Sequence, residues 1–513
     1  MISISGPLLA KYDSNSKIAR DLNSITLALS QKDSSLWGEA AQEEASVRLN
    51  WIDLPVTSRD LLPQVEKLRN WVKENSIDNL ILCGMGGSSL APEVFGKVFA
   101  KKITVLDSTD PEQVLSSLPK NLKGSLIIVG SKSGSTIETA SQKAYFEREL
   151  QNQGLEINKH LLIITDPNSP LDESSRAGGL KVVNADPNVG GRFSALSAFG
   201  LIPAALMGID IQSGLESAQK ASSTFTEIDN VAVKIATLLI EQSSQFIAFA
   251  DGGSKVPGLS DWIEQLVAES TGKDQKGRVP IVLENARSQI AGSAPLITFE
   301  SGIGNLSIEA DLFEHFILWE WVTALMGRAL EVDPFNQPNV TEAKDRTGAL
   351  LAKWGSLPQY EEPKYSDSNF DIFANFEVKS IENSFEEFFN QPSEYFVIMA
   401  YLNRLHDPIS QIREIIAIKT KKPTTFGWGP RFLHSTGQFH KGGPLNGAFL
   451  QITAEVERDL TIPNKDYSFG TLLMAQALGD GEALSSRNLP LLRIHLKNRS
   501  SAIEKLISRI NQI

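Results

Sequence analysis

The segment SLIIVGSKSGSTIET, residues 125–139, passes from an apolar run straight into serines, a lysine, a glycine and threonines, with helix-forming residues next. Ser131, Ser133, Ser135 and Thr136 can each donate through a hydroxyl and a backbone N–H, and Lys132 adds positive charge nearby. At a strand-to-helix junction those donors lie at the positive end of a helix dipole, which is what a phosphate group needs. A plain helix-capping cluster uses the same residue types, so a single instance decides little. GMGGSSLAPE, residues 84–93, is a second instance: Gly86 and Gly87 allow close backbone approach, and Ser88 and Ser89 open the next helix. This turn is neither GxGxxG nor a Walker loop, so a nucleotide is not favoured. Two such turns at the carboxyl ends of nearby parallel strands would converge on one crevice, a pocket for a phosphorylated small molecule.

Other residues could move charge or protons there. Arg192 follows Gly190 and Gly191 in NVGGRFSALSAFG and is expected to open an amphipathic helix over about 193–207 and point into the crevice. In DWIEQLVAESTGK, Gln265 and Glu269 fall one helical turn apart on the same face. A carboxylate among small polar residues at a helix end suits general-base work, although most helix carboxylates are simply solvated. DPFNQPNVTEAK places Gln337 before Pro338 and Lys344 on the second turn of what is otherwise a capped helix start. FLHSTGQFHKGGP, residues 432–444, carries His434 and His440 in what reads as a Gly/Ser loop between strands, and both are candidates for acid–base chemistry. Metal binding is weakly supported, since no Cys or carboxylate cluster accompanies them. His315, on the apolar stretch ADLFEHFILWEW, reads as a packed core histidine.

The elements that must position these residues follow from periodicity. The first fifty residues read as helical, with amphipathic stretches at 18–29 and 36–49. Short apolar runs at 80–83, 103–106, 126–129, 161–165 and 182–184 then alternate with helices, the rhythm of a mostly parallel sheet covered on both faces. A second unit starts near Val231, with strands in FIAFAD, VPIVLE and PLITFE and helices at 259–271 and 311–330. The polar, proline-bearing segment 358–371 is the best linker candidate. A third α/β stretch has strands in YFVIMAYL, GAFLQITAE and LLRIHL.

With 513 residues the chain needs two to four domains. A hydrophobic fraction of 41% beside 21% charged residues is that of a globular protein. The formal net charge of −12 argues against nucleic acid or anionic membrane as the main partner, though a local site can still attract an anion. The single cysteine, Cys83, excludes an internal disulfide and suits a reducing cytoplasm. The N-terminal segment has no apolar h-region, and no run reaches the length of a membrane span.

Taken together, GMGGSSLAP, SKSGSTIET, GGRFS, QLVAESTGK and DPFNQPNVTEAK resemble, in consistent order over roughly residues 50–350, the glucose-6-phosphate isomerase (phosphoglucose isomerase) family. RFLHSTGQFHKGGP and YSFGTLLMAQALGD resemble the isomerase portion of bacterial transaldolase–isomerase fusions, here without a transaldolase barrel. The resemblance implies two sugar-isomerase (SIS) domains, each a doubly wound parallel sheet, plus a C-terminal α/β extension. The expected organisation is an N-terminal helical segment at 1–50, domains at 51–225 and 226–360, and a C-terminal domain at 371–513. It further implies reversible isomerisation of glucose 6-phosphate and fructose 6-phosphate with no metal and no organic cofactor. By the same resemblance Ser131, Lys132, Ser133 and Thr136 hold the phosphate, with Gly86, Gly87, Ser88 and Gly191 lining the sugar side. Glu269 becomes the base that moves the proton between C2 and C1, Arg192 the cation that stabilises the enediolate, and Gln265 and Gln337 pocket residues. Lys344 assists ring opening. The family's ring-opening histidine lies between the glutamate and the lysine, where this chain has only His315. HSTGQ resembles that segment displaced, which favours His434, with His440 second. In the family the histidine comes from a neighbouring subunit; one supplied in cis would let a monomer work, so monomer and homodimer both stand. The alternatives are an isomerase that also takes mannose 6-phosphate, and a non-catalytic sugar-phosphate sensor. A sensor of this kind usually carries a DNA-binding domain, and no basic helix-turn-helix pattern is evident.

Overall fold

The structure, a computed structural model, describes residues 2–290, 292–300, 302–355 and 360–513. After a short strand, β1 (Ser3–Ser5), the apolar runs pair with one another. The strands β2 (Asn79–Gly84), β3 (Thr104–Leu106), β4 (Ser125–Gly130), β5 (Leu161–Thr165) and β6 (Lys181–Asn184) form a parallel sheet in the order β3-β2-β4-β5-β6. Period-two alternation buries both its faces. Leu80 and Leu82 of β2 join one core with Leu126 and Ile128, while Ile81 and Cys83 join another with Ile127 and Val129. Each such side chain contributes about 1.5–3 kcal/mol by leaving water. That is why these strands read as continuous apolar runs.

A second sheet takes β7 (Phe246–Ala250), β8 (Val279–Val282), β9 (Leu296–Thr298) and β10 (Leu306–Glu309) in the order β1-β10-β9-β7-β8. It is parallel except for β1, which runs against β10, so the chain start is part strand as well as helix. The third sheet contains β11 (Tyr365–Ser366), β12 (Phe370–Ala374), β13 (Tyr395–Ala400), β14 (Thr424–Trp428), β15 (Gly447–Ala454) and β16 (Leu491–Leu496), ordered β11-β12-β16-β15-β13-β14. From β16 to β14 it is parallel; β11 and β12 are antiparallel additions. The expected class, two parallel α/β sheets buried on both faces plus a C-terminal α/β extension, is therefore present.

Several expected elements differ. The helix expected at 193–207 is a 3-10 turn, Gly191–Phe193, followed by the helix Ala198–Leu206, because Ser197 supplies the cap and Pro203 sits late in the helix. Residues 432–444 are not a loop: they form a 3-10 turn, Arg431–His434, and a short helix, Gly437–Gly442. Of the linker candidate, Pro358 and Gln359 lie outside the described residues, while Tyr365, Ser366 and Phe370 are in strands.

The C-terminal sheet is not a separate bead. Tyr395, Val397 and Phe449 share a core with Ala248, Val279 and Ile281 of the second sheet. Phe469 and Leu472 share one with Ile81 and Val129 of the first. A buried charge cluster joins the same regions: Arg404 lies 3.0 Å from Glu93 and 2.9 Å from Asp107, and Arg431 lies 2.7 Å from Glu93 and 3.0 Å from Asp107. No helix among the described residues is long and apolar enough to cross a membrane.

Candidate active site

The helix Leu259–Thr271 begins after Gly258, whose φ of +86° suits glycine, and is buried over most of its length. Its Gln265 and Glu269 meet as i, i+4 neighbours: the Gln265 side-chain amide donates to Glu269 at 3.1 Å and also to the backbone carbonyl of His434 at 2.8 Å. The other oxygen of Glu269 faces Arg192 at 3.3 Å. Arg192 is itself fixed, donating to Ser270 (2.7 Å), Gln337 (2.9 Å) and the carbonyls of Pro334 (2.6 Å) and Asn336 (2.9 Å). Burial lowers the guanidinium's pKa, and Glu269 opposes that shift. Ser270 and the buried Lys273 were not singled out by sequence. Lys273 donates to the Ser270 and Asp333 carbonyls, and burial, helped by Arg192, holds its pKa well below the lysine range.

His434 reaches the same crevice from the C-terminal region. Its Nε2 lies 2.9 Å from Glu138, which also accepts from Gln476 at 2.7 Å. Burial works to raise the Glu138 pKa, but His434 beside it keeps the carboxyl below its ordinary range. An ionised carboxylate only accepts, so the Nε2 that faces it is a nitrogen that carries a proton. Glu138 lies inside the segment read for phosphate but was not singled out; the run STIE resembles a capping box, and that local pattern hid it.

At the SKSGSTIET turn the helix Ile137–Asn152 starts at Thr136 with no side-chain cap. Its first-turn N–H groups have no carbonyl acceptor within the helix, and that of Glu138 turns to its own carboxylate. Ser131 donates to Thr136 at 3.3 Å, Ser133 and Ser135 are exposed and hydrogen-bonded to each other, and Gly134 takes a φ of +72° where Leu171 leaves no room for a Cβ. Ser135, Thr136, Glu138, Lys344 and His434 line one cavity of about 200 Å³. Lys344 is exposed on its rim.

The glycines bring the loops together. A Cβ on Gly87 would lie 1.9 Å from the carbonyl oxygen of Gly191, and one on Gly86 would lie 2.7 Å from the amide of Gln265. Ser88, half-buried, packs against Gly84 and Gly130 at the strand ends. Two candidates are engaged by other partners. The Lys132 ammonium turns away from the open helix start to pair with Asp166 at 2.7 Å and the Pro187 carbonyl at 2.9 Å. His440 is a packed histidine: it is buried, its Nδ1 meets the Tyr395 hydroxyl at 3.1 Å, Phe439 and Phe449 lie edge-on to it, and burial pushes its pKa down to about 3. His315 is fully buried, as expected. Among the described residues no group of three or more His, Cys, Asp or Glu side chains is arranged to hold a metal ion.

Fold and site together describe an α/β protein with an uncapped helix start of the kind that receives an anion, and a carboxylate set between an arginine and an amide. Residues 62–279 match the model of the phosphoglucose isomerase family. The chain is 33% identical over 250 residues to a glucose-6-phosphate isomerase of Thermus thermophilus, an alignment covering 47% of this chain and 59% of that one. It is 30% identical over 260 residues to the Campylobacter jejuni enzyme, covering 48% of this chain and 64% of that one. It is 27% identical over 400 residues to the Fusobacterium nucleatum enzyme, covering 61% and 88%. The match thus spans about three fifths of the length of the first two relatives. A solved glucose-6-phosphate isomerase from Chlamydia trachomatis aligns at 17% identity and a TM-score of 0.49, covering 66% of this chain and 96% of that one. A hypothetical protein from Thermus thermophilus aligns at 20% and 0.46, covering 100% and 92%. Likenesses at that level bear on neither fold nor function.

Proposed function

We propose that this protein interconverts glucose 6-phosphate and fructose 6-phosphate. The observation that carries the proposal is Glu269, held with one oxygen on Arg192 and the other on Gln265, in the crevice that His434 closes. A carboxylate fixed in this way can take the C2 proton of an open-chain aldose phosphate and return it to C1 on the same face, through a cis-enediol. Charge that develops on the substrate oxygens is stabilised by the Arg192 guanidinium, already locked by its other partners and so needing no reorganisation. The phosphate would occupy the start of the helix Ile137–Asn152, against Ser131, Ser133 and Thr136. Ring opening removes a proton from the anomeric hydroxyl and delivers one to the ring oxygen. His434, oriented by Glu138, and Lys344 across the cavity have the chemistry for those transfers.

The test is turnover of fructose 6-phosphate by EDTA-treated protein, read as NADPH through a coupled glucose-6-phosphate dehydrogenase, with Glu269→Gln in parallel. Activity in the wild type alone is expected. Binding without turnover in both proteins would mark a sugar-phosphate sensor instead.

A further inference from the structure

One face of the C-terminal sheet is apolar: Phe370, Ile372, Phe396, Ile398, Leu450, Ile452, Leu492 and Ile494 share a core. The opposite face is not. Across β12, β16 and β15 it carries Phe373, Arg493 and Gln451 in register, and one step on, Asp371, His495 and Thr453. Polar groups at the centre of a sheet cost stability unless they are paired; Gln451 donates to the Ala477 carbonyl and Thr453 meets His495, which leaves Arg493 as the polar member without a partner among the described residues. A cavity of about 570 Å³ lies against these rows, lined among others by Arg493, His495, Thr453, Thr471, Tyr401 and Phe373. Its place in the topology is equally telling. From β13 the chain crosses to β14 on one side and then returns to β15 on the other, so the β13–β15 pair is a switch point. Tyr401 directly follows β13 and Thr453 nearly ends β15, and the crevice beyond such carboxyl ends is where open α/β sheets bind ligands.

Arg493 is the unusual member. It is 5% exposed and stacks on the Phe373 ring at 3.8 Å, yet it makes no hydrogen bond or ion pair among the described residues. Four carboxylates border the cavity: Glu361, Asp371, Glu455 and Asp459. Asp371 is taken by Lys497 at 2.9 Å, and Asp459 by the N–H groups of Leu460 and Gly470 and the Ser468 hydroxyl. None is within ion-pair distance of Arg493. Burial accordingly pushes the guanidinium down to about 10, only partly opposed by Glu361. A buried, unpaired guanidinium facing a metabolite-sized cavity lacks a counter-anion, and its planar fork matches phosphate oxygens.

We propose that this cavity is a second ligand site, distinct from the crevice of Glu269, which binds a small phosphate ester through Arg493. Equilibrium dialysis of the full chain with labelled inorganic phosphate and with labelled fructose 6-phosphate tests it. Two equivalents are expected on the wild type, one on Ser131→Ala/Thr136→Ala, and none when Arg493→Met is added. In the Ser131→Ala/Thr136→Ala background, Arg493→Lys should weaken the remaining site about tenfold, since it keeps the charge and loses the fork. Fructose 6-phosphate should bind that site at least about tenfold tighter than inorganic phosphate, a ratio that a site reading the phosphate alone would not give. Removing an unpaired buried charge should also raise the ligand-free Tm of Arg493→Met while abolishing the rise of Tm with phosphate. A second equivalent that survives Arg493→Met, a single equivalent on the wild type, or equal affinity for the two probes would overturn the proposal.

Discussion

Two buried sets of carboxylates and arginines, one joining the C-terminal region to the first sheet and one in the crevice, differ in how completely they are closed. At the joint, Glu93 and Asp107 face Arg404 and Arg431, two acids against two bases, with every side chain within 3.0 Å of both opposite charges. Burial works to raise the Glu93 pKa, but Arg431, Arg404 and Lys97 hold it well below the carboxylate range. In the crevice, Arg192 meets one carboxylate at 3.3 Å and spends its remaining donors on neutral acceptors, while Glu269 has that one arginine and the Gln265 amide. A closed set fixes geometry. An open set, equally rigid, leaves charge for a substrate.

The contrast can be broken by exchanging effects on rate and stability. Glu269→Gln should lower kcat about a thousandfold with little change in KM, because it removes proton transfer and keeps shape; a coupled assay and a thermal melt would show activity gone and Tm nearly unmoved. Glu93→Gln should do the reverse. Removing one partner of a buried cluster costs about 3–5 kcal/mol in denaturant unfolding, while kcat of the folded fraction stays within about threefold. The two histidines sharpen the same point. His434→Ala should slow turnover of cyclic substrate by about a hundredfold more than that of an open-chain analogue, and His440→Phe should shift neither by more than about threefold. The smallest effect concerns acid. The Glu342 pKa is pushed down to about 2, first by its hydrogen bond from Arg487 and then by Arg346. A carboxyl with a depressed folded pKa adds stability above its unfolded value near 4.5, and that stability fades as pH falls toward 2. Arg487→Gln should therefore flatten the acid limb of stability against pH over that window.

Much of the frame was legible because burial on both faces leaves an unbroken apolar run, as in Leu80–Cys83 and Leu161–Thr165. β14 was missed because TTFGW is short and holds two threonines and a glycine, with none of that signal. The short helix Gly437–Gly442 was hidden by its own glycines. At Gly442 a Cβ would lie 2.5 Å from the Asn339 side chain and 2.7 Å from the Gly272 carbonyl. Gln265 and Glu269 were found because their partnership is local, four residues apart. His434 could be ranked first only through the resemblance of HSTGQ; the contacts that separate it from His440 are not local, since Glu138 stands 296 residues away and Tyr395 lies on β13. A separation of 34 residues likewise hid the pairing of Lys132 with Asp166.

Glu138 and His434 meet within a single polypeptide. Where a histidine must be borrowed from a neighbouring subunit, dilution starves the active site of it. Here every named group of the crevice stays together however few molecules share the solution, so specific activity should hold constant as the protein is diluted.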